Sequence, residues 1–367
     1  MLLDSRNLDA YAVGCGVLST GGGGEADVGV TMVRLAIDGF GAVEIIDVDQ
    51  LGADDLVMPC GLIGSPTLAR ERLWNGMEGQ RLAKVMGRLH TRDINTLMCY
   101  EIAGVNGLLP ALWAAHQRLP LLDADGMGRA FPEMQQQAMH LAGVEASPIV
   151  VTDGNESDII VLTRGGLAAE RLARDATESL GGTCAGALYV MDGVAARSAV
   201  IPGSVSKAIA VGTVMTSRTS GWCEALADTM HGEVLIEGTV TELEWGVGSK
   251  FARGHAVIES PATASTARRQ VRIELQNEML LAIEEGEVAA CVPDIIAAID
   301  LLTGRPIDTE NLRYGQYLGI VLLPAPEIWW TDAGLRTAGP EAFGYATGIT
   351  DKHHRVGNDS GQFRHGH

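Results

Sequence analysis

Apolar and polar positions along the chain fall into two textures. Up to about residue 228, short apolar runs alternate with stretches at helical spacing. Thr96 to Tyr100 is one such run, and Glu101 follows it. Gly104 and Gly107 bracket Asn106, and then Leu108, Leu112 and Ala115 recur on one helical face up to about His116. Leu119, Leu121 and Leu122 form the next run. Strand, glycine loop, helix and strand make a βαβ unit, whose two strands run parallel and finish at the same sheet edge. Further helices are predicted over 8–18 with Asn7 as N-cap, from Val28 to Ala36, over 66–89, from Pro132 to Leu141 and over 167–180. Leu82, Val85, Met86 and Leu89 form the inward face of the helix over 66–89, and His90 at its end reads as a C-terminal charge complement. Strands are predicted at 149–151 and 159–162, and Ala187 to Val190 is an apolar run after a glycine-rich turn at 181–184.

From about His231 the runs become short and alternating, at 234–236, 239–243, 256–258, 271–275, 288–292 and 318–323. That pattern predicts a β-sandwich or small barrel. The expected organisation is an α/β domain with a mainly parallel sheet over 1–228 and a second β-rich, sandwich or barrel-like domain over 229–325. A C-terminal segment over 326–367 is expected to pack back on the first domain. It ends in a mobile tail with His353, His354, His365 and His367.

The stretch LPLLDADGMGRAFPE, Leu119 to Glu133, carries the densest candidate chemistry. Four ionisable groups, Asp123, Asp125, Arg129 and Glu133, crowd the mouth of an apolar strand. Burying a charge is costly unless it is paired. The βαβ topology brings Glu101 and Asn106 to the same edge, where open α/β sheets hold their ligands. Each residue taken singly is equally a helix cap, a turn former or half of a salt bridge between Arg129 and an aspartate. Gly22, Gly23 and Gly24 close a four-glycine run ahead of a helix. They form either an anion cradle of bare N–H groups or a plain C-cap and turn. Asn277 and Glu278 close a strand, either to reach the site or as a solvated bend. Cys184 is the one cysteine considered as a nucleophile; its other reading is a small core residue.

The net charge is −19, from 27 basic and 46 acidic residues, which argues against a nucleic-acid partner. No run of about 18 apolar residues occurs, and the N-terminus has no basic segment followed by an apolar one. A cytoplasmic protein with no membrane partner is expected. Six cysteines without CxxC spacing read as free thiols. No cofactor is evident. HExxH and HxH motifs are absent, so the metal ligands are unknown. Carboxylates and histidines from distant loops could still gather a divalent ion such as zinc. The apolar β segments and glycines suggest a homo-oligomer.

Seven segments resemble the S-methyl thiohydantoin desulfurase family, DUF917. They are GVLSTGGGGEADVG (16–29), CGLIGSPTLARERL (60–73), EIAGVNGLLPALWAAHQRLPLLDADGMGRAFPE (101–133), QNEMLLAI (276–283), PDIIAAIDLLTGRPI (293–307), LRYGQYLGIVLLPAP (312–326) and GPEAFGY (339–345). Two departures stand out: Ala103-Gly104 replaces an expected Gly-Gly, and Ser19 stands where a small residue is expected before the glycines. The resemblance implies hydrolytic removal of sulfur from C2 of a thiohydantoin-type ring, a small heterocyclic substrate. In that reaction Asp123 and Asp125 share a proton and one acts as base, and Glu101 serves as acid. Asn106 donates to developing charge, while Arg129 pairs with a substrate carboxylate or locks Asp123. Two other readings remain. One is a non-catalytic subunit that binds the ring beside a hydantoinase-type partner; the other is a metal-dependent cyclic-amide hydrolase.

Overall fold

The computed structural model describes residues 1–24, 26–65, 68–69, 74–246, 252–262 and 267–347. The chain divides into two compact units, Met1–Thr216 and a second that begins at Ser217.

The first unit is α/β. Its strands are β1 (Leu2–Leu3), β2 (Val43–Ile46), β3 (Leu56–Gly64), β4 (Thr96–Cys99), β5 (Leu121–Leu122), β6 (Ala124–Asp125), β7 (Ile149–Thr152), β8 (Asp158–Val161), β9 (Thr183–Ala187), β10 (Met191–Asp192) and β11 (Ile201–Pro202). Its helices are α1 (Leu8–Leu18), α2 (Ala26–Phe40), α3 (Glu78–His90), α4 (Gly104–Gln117), α5 (Ala138–Leu141), α6 (Gly166–Ser179), α7 (Gly193–Ala199) and α8 (Ser204–Thr216). The main sheet runs β1-β2-β5-β4-β3-β9-β7-β8, with β10 also paired to β3. Neighbours among β2, β5, β4 and β3 are parallel. Strands β9, β7 and β8 add to them antiparallel, so the sheet is mixed. The expected βαβ unit is β4–α4–β5, with Leu97 opposite Leu121. All four residues of β4 are buried, as a strand covered on both faces requires.

Helices α1 and α8 cross at backbone contact. A Cβ on Gly14 would lie 1.8 Å from the Ala208 carbonyl oxygen, and one on Gly212 would lie 1.6 Å from that of Ala10. Only glycine at both positions permits so close an approach.

Three predicted elements differ. The helix expected over 66–89 is not continuous: Leu68 and Ala69 are helical, 66–67 and 70–73 lie outside the described residues, and a side-chain turn precedes α3 at Glu78. In that turn Asn75 Oδ1 accepts from Met77 N, and Glu78 Oε1 accepts from Asn75 N. On α3 Leu82 and Met86 are buried, whereas Leu89 is exposed. Burial and Arg92 lower the pKa of His90, which opposes its expected role as a charged complement. The helix expected from Pro132 shrinks to Ala138–Leu141. Its would-be first turn is spent on side chains, since Glu133 N donates to Gln136 Oε1 and Met134 N to Glu170 Oε2. Cys184 lies not in a turn but inside β9, opposite Ile63. The Asn7 side chain makes no helix cap; it ties the preceding turn through Asp4 N and the Leu2 carbonyl.

The second unit carries seven antiparallel strands: β12 (Glu233–Gly246), β13 (Arg253–Glu259), β14 (Gln270–Leu275), β15 (Met279–Glu284), β16 (Glu287–Cys291), β17 (Ile295–Asp300) and β18 (Tyr317–Leu323). Their order is β16-β15-β14-β13-β12-β18-β17. The sheet curls until β15 and β17 approach each other, which makes a half-barrel. Its concave face is filled by Val240, Ala256, Ile258, Val271, Ile273, Ile296 and Ile320. Helices α9 (Trp222–Met230) and α10 (Asp332–Ala338) belong to the same unit. The predicted histidine tail lies outside the described residues. Among those residues no helix is long and apolar enough to cross a membrane.

Candidate active site

The carboxyl ends of β4 and β5 do meet at one edge, and a third element joins them there. β6 pairs antiparallel with β11, Asp125 opposite Ile201, and so brings the start of α8 against Asp125. Asp125 is fully buried and accepts four hydrogen bonds. Its Oδ2 takes Ile102 N at 2.9 Å, Met127 N at 3.1 Å and Gly128 N at 2.7 Å, and its Oδ1 takes Ser204 Oγ at 2.5 Å. Burial lifts its pKa from 3.8 to about 6, against the pull of those hydrogen bonds. Half-buried Lys207 stands one turn beyond Ser204. Burial lowers its pKa, and the charge of Asp125 opposes that fall.

Asp123 has a different task. Its Oδ1 accepts from Ser206 N at 2.9 Å and its carbonyl from Gly203 N at 2.7 Å, so it caps the first turn of α8. The lift at Asp125 comes from burial.

Glu101 is buried, and its Oε1 lies 2.5 Å from Asn106 Nδ2. The other end of that amide, Asn106 Oδ1, accepts from Leu62 N at 2.7 Å. The chain Glu101–Asn106–Leu62 therefore fastens β3 to the start of α4. Arg129 is fully buried, with Nε on the Ala130 carbonyl at 3.0 Å and Nη2 on Thr20 Oγ1 at 3.1 Å. Its guanidinium sits 4.6 Å from the Phe131 ring centre, a cation–π contact. Of the two aspartates offered to Arg129 as salt-bridge partners, Asp125 takes its four hydrogen bonds among the described residues from other groups.

Through Thr20, Arg129 holds the glycine loop. The loop's own turn uses its N–H groups: Gly22 N donates to the Ser19 carbonyl, Gly24 N to that of Gly22, and Gly21 N to Ser19 Oγ. The loop presents a carbonyl instead, and Gly23 O accepts from Val105 N at 3.0 Å. Gly22 and Gly24 thus serve the plain-turn reading rather than the anion cradle. The Ala103-Gly104 departure falls here. Gly104 has φ +48°, and a Cβ on it would sit 2.4 Å from the carbonyl oxygens of Gly23 and Gly24.

Residues 6–163 match the N-terminal domain of the S-Me-THD-like proteins, and residues 165–351 match their C-terminal domain. The chain belongs to the S-Me-THD-like family. A crystal structure of a protein from Chromobacterium violaceum has the same fold, with a TM-score of 0.79 at 20% identity over 95% of this chain and 99% of that one. No curated protein matches the chain.

The remaining predicted residues of this family member are dispersed. Glu133 is half-buried in a turn, where its Oε2 accepts from Gln135 Nε2 at 2.5 Å. Cys184 is buried with Sγ 3.3 Å from Thr177 Oγ1, and none of the six cysteines forms a disulfide. Asn277 and Glu278 belong to the second unit, in the turn between β14 and β15. The bend there is not solvated, since Glu278 is 2% exposed and Thr309 Oγ1 donates to the Asn277 carbonyl. Among the described residues, three ligand-bearing side chains that converge as for a metal are Glu242, Glu244 and His255, with ligand atoms within 4.8 Å of one another. They lie on β12 and β13 and include none of the predicted carboxylates.

The sequence reading missed Ser204, Lys207, Gln137 and the pair Glu170–Arg174. Glu170 is buried, and Arg174 Nη2 also donates to the Pro132 carbonyl at 2.6 Å, so the pair anchors the 132–134 segment. Its signal was present as Glu and Arg four apart on a helix. Ser204 was marked as a helix start by Pro202-Gly203 before an apolar run.

Proposed function

We propose that this S-Me-THD-like protein removes sulfur hydrolytically from C2 of a thiohydantoin or S-methyl thiohydantoin ring. The observation that carries the reading is Asp125, a carboxylate at the strand ends whose pKa of about 6 suits a base working near neutral pH. Among the described residues its one side-chain hydrogen bond is from the Ser204 hydroxyl, which makes Ser204 the route for the proton. Water oxygen bonds to C2, and the π pair moves onto sulfur from C2=S of a thiohydantoin, or onto ring nitrogen from C2=N of the S-methyl ring. The water proton passes to Ser204 Oγ as the Ser204 proton passes to Asp125. C2=O then forms as the second water proton leaves the hydroxyl by way of Glu101, the C2–S bond breaks, and the protons held by Asp125 and Glu101 pass to the leaving sulfur, or one to sulfur and one to ring nitrogen for the S-methyl ring. The balance is C=S plus water giving C=O plus hydrogen sulfide, or C(=N)–SCH3 plus water giving C(=O)–NH plus methanethiol. Asn106 orients Glu101, and Arg129 fixes the loop around the edge.

Sulfide or thiol release from a panel of these rings tests the reading, with wild type and Asp125→Asn run side by side with and without a chelator. Release by wild type should fall at least about a hundredfold in the variant. Unchanged turnover in Asp125→Asn removes Asp125 as base, and loss with chelator brings in a metal-dependent hydrolase. One observation favours a second reading, a ring-binding subunit of a hydantoinase-type complex: protein groups already occupy both oxygens of Asp125. Copurification with such a partner, together with inertness alone, would favour it.

A further inference from the structure

Residues 135–137 are three consecutive glutamines, and all are buried. Two have evident employment. Gln136 Oε1 accepts from Glu133 N, and Gln135 Nε2 donates to Glu133 Oε2. Gln137 has none. Its side chain is 1% exposed, and its buried Oε1 has no hydrogen-bond partner among the described residues. A buried amide oxygen without a partner is unfavourable, and a methionine would fill the same space without that cost.

The position of this amide is fixed by the loop that carries Asp125. Ala138 N donates to the Gly126 carbonyl at 2.7 Å, and Gly126 N to the Tyr100 carbonyl at 3.1 Å. The Gln137 carboxamide lies on the Gly126 backbone, where a Cβ would come within 1.7 Å of Oε1. Gly126 does not have positive φ, so the glycine is there for room rather than for conformation. The amide is thereby held against the residue that follows Asp125.

We infer that Gln137 is the residue that reads the ring, pairing its carboxamide with the N–H and C=O or C=S edge of a five-membered cyclic ureide or thioureide beside Asp125. This rests on the ring-hydrolysis reading above. A primary carboxamide offers one donor and one acceptor side by side, and the cis-amide edge of such a ring offers the complement. Two parallel hydrogen bonds satisfy both partners at once. A site built in this way rejects a ring that lacks the N–H, because its buried polar atoms are then left unpaired.

The test uses the full chain, with hydantoin, 2-thiohydantoin and their N1,N3-dimethyl forms as probes, read by calorimetry and by thermal melting. Wild type should bind the unsubstituted rings and bind the dimethyl rings at least about tenfold more weakly. Gln137→Met should melt no lower than wild type without ligand, lose at least about tenfold in affinity, and show its loss in KM rather than kcat. Equal affinity of wild type for methylated and free rings overturns the assignment without recourse to any variant. So does failure of wild type to bind any ring. A Gln137→Met protein that melts lower and binds as wild type does assigns the amide a structural role instead. Ring binding without sulfur release, lost in Gln137→Met, keeps this assignment and removes the hydrolysis. Sulfur release at wild-type KM by Gln137→Met does the reverse.

Discussion

The strand-end edge of the first unit and the outer face of the half-barrel use the same charged residue types to opposite ends. At the edge Asp125, Glu101 and Arg129 are buried, and the described partners of Asp125 are three backbone N–H groups and one hydroxyl. On the half-barrel, Arg269 meets Glu284 at 2.7 Å and Arg272 meets Glu274 at 2.6 Å, with the arginines about half exposed. A charge bonded to backbone in the interior defines where loops run. An ion pair in water competes with solvent and salt and contributes little. Counting charges would rank the two regions alike, whereas burial separates them.

Three measurements sharpen the contrast. Asp125→Ala should have the largest effect. It strips an acceptor from four buried donors and should lower the unfolding free energy by about 4 kcal/mol, read by urea titration at pH 5. The pH dependence comes next. The folded chain holds the Asp125 proton up to about pH 6, against 3.8 ordinarily, so it binds that proton more tightly than the unfolded chain does. Its contribution is fully present below about pH 4 and is lost as pH rises through 6, a slope worth on the order of 3 kcal/mol. Asp125→Asn should flatten the slope in that window, and a variant that keeps it would assign the slope to another group. Arg269→Ala should have the smallest effect, no more than about 1 kcal/mol and less with added salt. A cost that salt does not diminish would mean that Arg269 acts through its bond to the Leu235 carbonyl rather than through Glu284.

Much of this edge was legible. Glu101 and Asp125 could be brought together from sequence because a βαβ unit fixes which strand ends coincide. The roles were less so. Asp123 looks like half of a catalytic pair until its partner, Ser206, appears 83 residues away. Helix α8, which supplies Ser206 and Ser204, has no polar stripe to reveal it, since Val205, Ala208, Val211 and Met215 are all buried. The helix expected from Pro132 does not begin there, where Glu133 N bonds to the Gln136 side chain and Met134 N to that of Glu170. In the half-barrel, alternation alone gave most strands, because one face is filled and the other faces outward.

The boundary between the two family domains, at residue 164, does not coincide with the boundary between compact units at Thr216. Strand β9 lies beyond the first and yet sits in the middle of the main sheet, between β3 and β7. Helix α8 likewise lies beyond it and closes on α1 through Gly14 and Gly212. A protein cut at 164 would leave a bare sheet edge and an open glycine groove, a poor monomer and a ready acceptor for the missing piece. In this chain the segment up to residue 164 is therefore a fragment awaiting complementation.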